Sequence, residues 1–219
     1  MPKTFSKLSV AKQTYQQIEE LIVLLKLKPG LMYSEKEIGE LVKTGRTPVR
    51  EALQRLETEG LVDIRGRRGI QITEVSVQTQ LKLLEVRRPL QNYAVAHSCQ
   101  RASADDRKKI LDFAKELLEA SKKDPESRAK SLTYIRQAHD LIVEACHNEF
   151  AVKTMRNVHG LSRRFWIYYM EPDDFKPAIL IHAALLESVA ENKKNVAIQA
   201  SNDLIDYLED FARKQKNWE

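Results

Sequence analysis

The stretch "TGRTPVREALQRLETEGLVDIRGRRGIQI", residues 44–72, decides the fold of the first part of the chain. Its apolar residues recur at the i, i+3, i+4, i+7 spacing that buries one face of a helix. They are Val49, Ala52, Leu53 and Leu56. Pro48 suits the first turn of this helix, because the first four N–H groups of a helix have no partner within it. The stretch therefore predicts a helix that begins close to Pro48 and ends at Gly60.

A short β-hairpin is predicted next. The segments "LVDI" (residues 61–64) and "IQI" (residues 70–72) alternate as two strands, and their inward side chains are Val62, Ile64, Ile70 and Ile72. The connection "RGRRG" contains two glycines that permit a tight turn, and its arginines point away from any core: Arg65, Arg67 and Arg68. A hairpin tip of this kind can lie along or inside a DNA groove, where negative potential favours arginine.

Two helices are predicted before this stretch. Apolar residues at helical spacing indicate the first over residues 9–26, and Ser34 with Glu37 forms a capping box at the start of the second. The order helix, helix, short turn, helix and hairpin is that of a winged helix-turn-helix, predicted over residues 1–75. A small domain with a solvated basic face is the alternative interpretation.

Charge is concentrated in the same region. Residues 43–68 carry seven Lys or Arg against four Asp or Glu, in a chain with a net charge of only +5. The N-terminus of the third helix also offers free N–H groups and the positive end of the helix dipole. A local basic patch on a nearly neutral body indicates a defined phosphate-binding surface, and therefore a DNA partner.

These residues resemble the DNA-binding domain of GntR-family bacterial transcription regulators, above all in "TPVREAL.RLE.EGLV" followed by a glycine-rich wing. The resemblance implies DNA contacts at the start of the second helix, at the start of the third helix and in the wing. On this chain those positions are Lys36, Arg46, Thr47, Arg50, Arg65 and Gly66, and the wing adds Arg67 and Arg68. Gly45 departs from the family, which usually has Ser or Thr there.

The remainder of the chain is predicted to be an antiparallel bundle of six helices. Helical periodicity dominates, and no alternation typical of strands appears. The predicted helices span roughly 77–101, 103–123, 127–148, 150–170, 175–191 and 193–215. The segments "LLEVRRPLQNYAVAHSCQRAS", "AHDLIVEACHNEF" and "IHAALLESVAENKKNVA" resemble the all-helical effector domain, the FCD domain, of the FadR-type subfamily. The chain is therefore expected to be mostly α, with a second domain over residues 76–219 that dimerises and binds an effector.

Two histidines lie on apolar helical faces in this second part. His139 follows Ile135 by four residues, and His182 lies on the face of Ile179 and Leu186. Many members of the subfamily bind a divalent metal there through one Asp and three His. The resemblance matches His139 and His182 to two of those ligands, but Ile135 and Leu204 stand at the other two positions. His97, His147 or His159 could substitute, and two hydrogen-bonded core histidines are the simpler alternative. The pattern argues against a metal site of the family type without excluding a divalent metal.

An anionic effector without a metal would need arginine. Arg87 matches a family position, and Arg136, Arg163 and Arg164 are further candidates. The candidate effector-binding residues are thus Arg87, His139, His182, Arg136 and Arg163. A solvated arginine pair over core aromatics is the alternative for Arg163 and Arg164.

The function predicted from these patterns is sequence-specific control of transcription by a homodimer that binds a pseudo-palindromic operator and senses a small acidic metabolite. Two alternatives stay open: a DNA-binding dimer with no ligand response, and an all-helical metal-dependent enzyme with a DNA-binding appendage. The first ten residues lack the apolar core of a signal peptide, and no apolar run approaches the length that spans a bilayer. A cytoplasmic protein without a membrane partner is expected.

Overall fold

The computed structural model describes residues 9–122 and 128–215, except for the side chains of residues 128–132 and 172. The chain divides into two compact units, Met1–Val75 and Ser76–Glu219. None of the described helices combines the length and the apolar character that a membrane crossing requires.

The first unit contains three helices and a small sheet. Its elements are α1 (Val10–Val23), β1 (Met32–Tyr33), α2 (Glu35–Val42), α3 (Arg46–Thr58), β2 (Val62–Ile64) and β3 (Ile70–Ile72). The strands are antiparallel in the order β1-β3-β2, with Ile64 opposite Ile70 and Met32 opposite Gln71. The winged helix-turn-helix is confirmed. The sequence did not predict β1, which has only two residues and therefore no visible alternation.

The predicted buried face of α3 is confirmed, because Val49, Ala52, Leu53 and Leu56 are all buried. The helix packs against α1, which contributes the buried Ile18 and Ile22, and against α2 and β2. Val62, Ile70 and Ile72 are also buried, whereas Ile64, predicted to point inward, is only half-buried beside the hairpin tip.

The ends of the helices follow local chemistry. The Ser34 hydroxyl accepts the N–H of Glu37 at 3.1 Å, and the Ser34 N–H donates to the Glu37 carboxylate at 2.7 Å, so the capping box is confirmed. Helix α1 ends at Val23 rather than near residue 26, and Leu25 adopts a positive φ of 59° just beyond it.

The second unit has six helices among its described residues, as predicted. They are α4 (Val77–Arg101), α5 (Ala104–Ser121), α6 (Arg128–Ala145), α7 (Glu149–Tyr169), α8 (Phe175–Ala190) and α9 (Lys194–Gln215). Their ends lie within three residues of the predicted ones. Helix α4 continues through Pro89 as a single helix.

Helix α4 carries the polar interior of this unit. It packs against α6, α7, α8 and α9. Along its buried side the apolar pattern is interrupted by Gln80, Arg87, Gln91 and Ser98. Buried polar side chains need partners, and these four positions direct attention to the interior of the bundle.

Candidate functional sites

The start of α3 presents three exposed polar side chains, those of Arg46, Thr47 and Arg50. Gly45 is the N-cap and contributes no side-chain hydrogen bond. The first backbone N–H groups of α3 are therefore available together with the positive end of the helix dipole. Within the described part of the chain, Arg46 and Thr47 make no side-chain hydrogen bond or ion pair, so both can reach a ligand at no cost in broken contacts.

The hairpin tip is a single 3-10 turn at Gly66–Arg68. It is closed by the N–H of Arg65, which donates to the carbonyl of Gly69 at 2.9 Å. Arg65 also pairs with Asp63 at 2.8 Å, while Arg67 and Arg68 are exposed. Gly69 has a φ of +104°, and a Cβ placed there would lie 2.7 Å from the carbonyl oxygen of Tyr33. Only glycine fits this position, so the shape of the tip depends on it.

Two further cations of the predicted surface are paired. The Nε of Arg50 lies 2.9 Å from both carboxylate oxygens of Glu35, which joins the start of α3 to the start of α2. Lys36 is exposed and lies 3.9 Å from Glu40. All eight residues predicted to contact DNA are exposed. This exposure is the minimum that a DNA-contacting role requires.

Arg55, which also belongs to the basic stretch, has a structural role. Its guanidinium lies 3.8 Å from the centre of the Tyr15 ring and its Nε donates to Glu59 at 3.0 Å. The Tyr15 hydroxyl donates to the same carboxylate at 2.6 Å. Burial and this hydrogen bond raise the pKa of Tyr15 far above its ordinary value. Arg55 therefore links α3 to α1.

The second unit buries two of its described arginines. Arg164 on α7 is 2% exposed, so the alternative of a solvated arginine pair over core aromatics is wrong for this residue. Arg87 on α4 is 3% exposed. Its Nε donates to the side-chain oxygen of Gln91 at 3.0 Å, its Nη1 donates to Ser162 Oγ at 2.9 Å, and its Nη2 lies 3.0 Å from His139 Nε2. All three neighbours are uncharged acceptors. Burial lowers the pKa of Arg87 to about 9.

Three histidines adjoin this guanidinium. The ring of His139 on α6 lies 3.9 Å from the ring of His159 on α7, measured between centroids, and 4.9 Å from that of His182 on α8. The Nε2 atoms of His139 and His182 are 3.1 Å apart. The Nε2 of His159 is buried and has no hydrogen-bond partner among the described residues. We call Arg87, His139, His159 and His182 the Arg87–histidine cluster.

The electrostatics of the Arg87–histidine cluster favour neutral imidazoles. Burial and neighbouring positive charge lower the pKa values of His139 and His159 well below the ordinary range. Burial lowers the pKa of His182 to about 4. Gln80 and Gln91 extend the polar network to Ser162 at 2.9 Å and to Ser201 at 3.2 Å. Four of the six described helices, α4, α6, α7 and α8, thus contribute hydrogen-bonding groups around Arg87, and Ser201 adds a fifth helix, α9.

Only some of the candidate effector residues lie together in the structure. Arg87, His139 and His182 come together as the sequence suggested. Arg163 is half-buried and its charge contributes to the lowered pKa values of His139 and His159. Arg136 is exposed and pairs with Asp140 at 3.6 Å, so this geometry does not support a place for it in a buried effector site. Ser162 was missed, although its position three residues after His159 puts the two on one helical face.

The cluster does not fit the metal that the subfamily often carries. The family resemblance matches His139 and His182 to two of the metal-ligand positions and Ile135 and Leu204 to the other two, and the structure shows that Ile135 and Leu204 are buried aliphatic side chains. Within the described ranges, no group of three or more His, Cys, Asp or Glu side chains is arranged to hold a metal ion. A guanidinium 3.0 Å from His139 Nε2 would also repel a cation bound there.

The first unit and the Arg87–histidine cluster define a class of protein. A winged helix-turn-helix with arginines at its recognition helix, followed by an all-helical unit with a buried polar interior, is the organisation of a transcription regulator with an effector-binding domain. The profile described as "Bacterial regulatory proteins, gntR family" matches residues 10–72, and that of the FCD domain matches residues 82–207. The chain belongs to the GntR family, in its FadR-type subfamily.

Proteins with similar sequences are also named as transcription regulators. The chain is 33% identical over 131 residues to the Nta operon transcriptional regulator of Aminobacter aminovorans, an alignment that covers 60% of this chain and 61% of that one. It is 26% identical over 191 residues to the regulator YdhC of Bacillus subtilis, covering 85% and 84%. It is 31% identical over 177 residues to the regulator MT0049 of Mycobacterium tuberculosis, covering 80% and 69%. These names are those of transcription regulators and not of enzymes.

Solved structures share the fold. E. coli McbR/YncC aligns with a TM-score of 0.82 at 17% identity, covering 96% of this chain and all of that one. A GntR regulator from Rhodococcus sp. RHA1 aligns with a TM-score of 0.66 at 20% identity, covering 94% and 97%. At these identities the likeness concerns the fold alone, and it confirms the predicted fold class.

Proposed function

We propose that this chain is a sequence-specific transcription regulator that binds operator DNA as a homodimer in the cytoplasm and responds to a small acidic metabolite. The observation that carries the DNA-binding part is the start of α3. Two arginines and a threonine are exposed there around free backbone N–H groups, with a ring of exposed arginines at the hairpin tip of the same unit. Such a surface offers a phosphate backbone both positive charge and backbone N–H donors.

Roles at the DNA follow from side-chain chemistry. Arginine can read guanine through two parallel hydrogen bonds, so Arg46 and Arg50 are assigned to base edges or the phosphates beside them. Lys36 and Thr47 suit contacts to the backbone, which set the register without reading sequence. The wing contributes its tip to flanking backbone or the minor groove: Arg65, Gly66, Arg67 and Arg68.

We assign the dimer interface to an exposed apolar patch on the helical unit, where a second copy of the chain would bind. Val86 and Tyr93, seven residues apart on one face of α4, are 54% and 39% exposed, and Phe150 at the start of α7 is 75% exposed. Asn148, which caps α7, donates to the Tyr93 hydroxyl at 2.9 Å and so joins the two parts of the patch. An exposed patch of this kind favours association, and a symmetric dimer predicts two related half-sites.

The Arg87–histidine cluster supports an acidic effector. Among the described residues, the hydrogen-bond partners of its buried guanidinium are uncharged. A negatively charged ligand would therefore supply the charge-assisted hydrogen bond that Arg87 lacks.

Selection of bound fragments from a digest of genomic DNA tests the proposal. The expected result is a small set of fragments that share a pseudo-palindromic site, retained against excess random duplex at moderate salt. Binding that depends on salt alone, with the same affinity for every duplex, would contradict sequence-specific regulation.

A further inference from the structure

We infer that the Arg87–histidine cluster binds a carboxylate ligand directly through the guanidinium of Arg87, in place of the metal ion that related domains use. This inference rests on the proposed effector response and deepens it, because it names the recognising group and the chemical class of the ligand.

The contrast between two neighbouring arginines is the first reason. Arg88 on the outer side of α4 donates to Asp206 at 2.7 Å and to Glu209 at 2.9 Å. Arg87, one residue earlier and fully buried, has no carboxylate partner among the described residues. A buried charge without a counter-charge is expensive. Arg88, which is only half-buried, therefore has two carboxylate partners, whereas the fully buried Arg87 has none among the described residues.

The hydrogen bonds of Arg87 leave two of its donors unused for such an anion. A guanidinium has five N–H donors. Gln91, Ser162 and His139 account for three of them, one on each nitrogen. The two that remain are one on Nη1 and one on Nη2. Two N–H groups on the terminal nitrogens match the two oxygens of a carboxylate, which is the strong bidentate arrangement.

The histidines of the cluster also leave a hydrogen bond unsatisfied. His182 Nδ1 donates to the carbonyl of Ala178 at 2.6 Å, so the Nε2 of neutral His182 is an acceptor. His139 Nε2 lies between this acceptor and the Nη2 donor of Arg87, at 3.1 Å and 3.0 Å. A single nitrogen can accept from Arg87 or donate to His182, but not both. One of the two contacts is therefore unsatisfied in the ligand-free protein.

A carboxylate supplies the missing counter-charge. Its two oxygens accept the two remaining N–H groups of Arg87, while Nη2 keeps its contact with His139 Nε2. His182 Nε2 then remains an acceptor without a donor, and a hydroxyl group of the ligand can supply that donor. The neighbouring His159 Nε2, buried without a partner in the described part of the chain, is available to a further polar group of the ligand.

Thermal unfolding of the full chain, treated with a chelator, tests the inference. The probes are sodium acetate, lactate, succinate, citrate, gluconate and benzoate, each compared with sodium chloride at equal ionic strength. At least one carboxylate should raise the Tm of the wild type by about 4 °C or more at saturating concentration. Arg87→Gln should abolish that rise. Arg88→Gln, which removes the same charge one residue away, should retain it.

One further measurement does not depend on the choice of probe. Removing an uncompensated buried charge should leave the Tm of the ligand-free protein unchanged or higher in Arg87→Gln, whereas Arg88→Gln should lower it.

The inference is overturned if no carboxylate raises the Tm of the wild type, if Arg87→Gln is protected as well as the wild type, or if Arg87→Gln destabilises the ligand-free protein more than Arg88→Gln. Stoichiometric zinc or nickel in untreated protein, with carboxylate protection lost on chelation, also overturns it. In each case specific operator binding by the wild type would persist, whereas loss of that binding would refute the proposed function instead.

Discussion

The Nε of Arg50 on α3 lies 2.9 Å from each carboxylate oxygen of Glu35 on α2. The pair fixes the direction of an arginine assigned to the DNA major groove and joins the two helices whose starts face the DNA in a winged helix-turn-helix. An exposed pair of this kind adds little to stability, so its effect is on the orientation of Arg50.

Replacing Glu35 by Gln should therefore reduce discrimination. Arg50 becomes mobile and one negative charge disappears, so the affinity for random duplex rises while that for the operator rises less. The ratio of the two Kd values should fall by about three- to tenfold, which is about 1 kcal/mol. Glu40→Gln removes the same charge beside Lys36 without freeing Arg50, and it should leave the ratio unchanged. Equal ratios in both variants would refute an orienting role for Glu35.

Replacing Arg46 by Ala should weaken specific binding by about 1–3 kcal/mol if the side chain reads a base. Fluorescence anisotropy on the selected operator and on random duplex measures the effect. Arg213→Ala, which changes an exposed arginine near the end of α9, is the control for net charge. Wild-type affinity for the operator in Arg46→Ala would exclude this residue from recognition.

Substitutions at glycine should separate the wing from the helix cap. Gly69→Ala forces a Cβ to 2.7 Å from the Tyr33 carbonyl at a φ of +104°, and it should destabilise the first unit by about 1–3 kcal/mol. Gly45→Ser meets nothing within 4 Å and keeps a φ of −73°. It adds a capping hydroxyl and should raise stability by a few tenths of a kcal/mol. Urea unfolding measures both, and similar effects at the two positions would contradict the close approach at Gly69.

Acid should destabilise the helical unit. The three histidines of the Arg87–histidine cluster have lowered pKa values in the folded state because they are buried. The unfolded chain therefore binds more protons than the folded one below the ordinary histidine pKa of about 6.5. Stability is fully present above that pH and decreases as the pH falls towards the folded-state values, about 4 for His182.

The expected slope is up to about 1.4 kcal/mol per pH unit for each histidine. Urea unfolding followed by tryptophan fluorescence across this range measures it, since Trp166 lies in the second unit. His147 is exposed and paired with Asp106, so His147→Gln should keep the slope of the buried group. A profile without slope below pH 6.5 would show that the buried imidazoles are not neutral.

The dimer assigned to the apolar patch should dissociate when Tyr93 is replaced by Glu, because a buried unpaired carboxylate is costly at an interface. Light scattering after size-exclusion chromatography should give twice the 25.3 kDa chain mass for the wild type and a single chain for the variant. Leu180→Glu changes another exposed apolar residue, on α8, and should remain dimeric.

Several features of the fold could be predicted because they are local. Ser34 and Glu37 are three residues apart, and the buried face of α3 repeats within two turns of helix, so short stretches determine both. The six helices of the second unit follow from the same periodicity and from their breaks. The two-residue strand β1 could not be predicted, since it exists only through pairing with β3, far along the chain.

The candidate sites could also be predicted from the sequence only in part. Exposed arginines at the start of α3 and at the hairpin tip were visible as sequence pattern, but the restraint of Arg50 by Glu35 and the packing of Arg55 on Tyr15 were not. Arg87 was a candidate from family resemblance alone. Its lack of a carboxylate partner and the proximity of His159 depend on residues 52 to 75 positions away from it.

The amino-acid sequence by itself determined the type, order and approximate ends of the helices and the basic character of the DNA-facing surface, because periodicity, capping and turn chemistry act over a few residues. The tertiary structure alone decided which arginines are neutralised and which remain uncompensated, because the partners of a charged side chain lie on helices that meet only after folding.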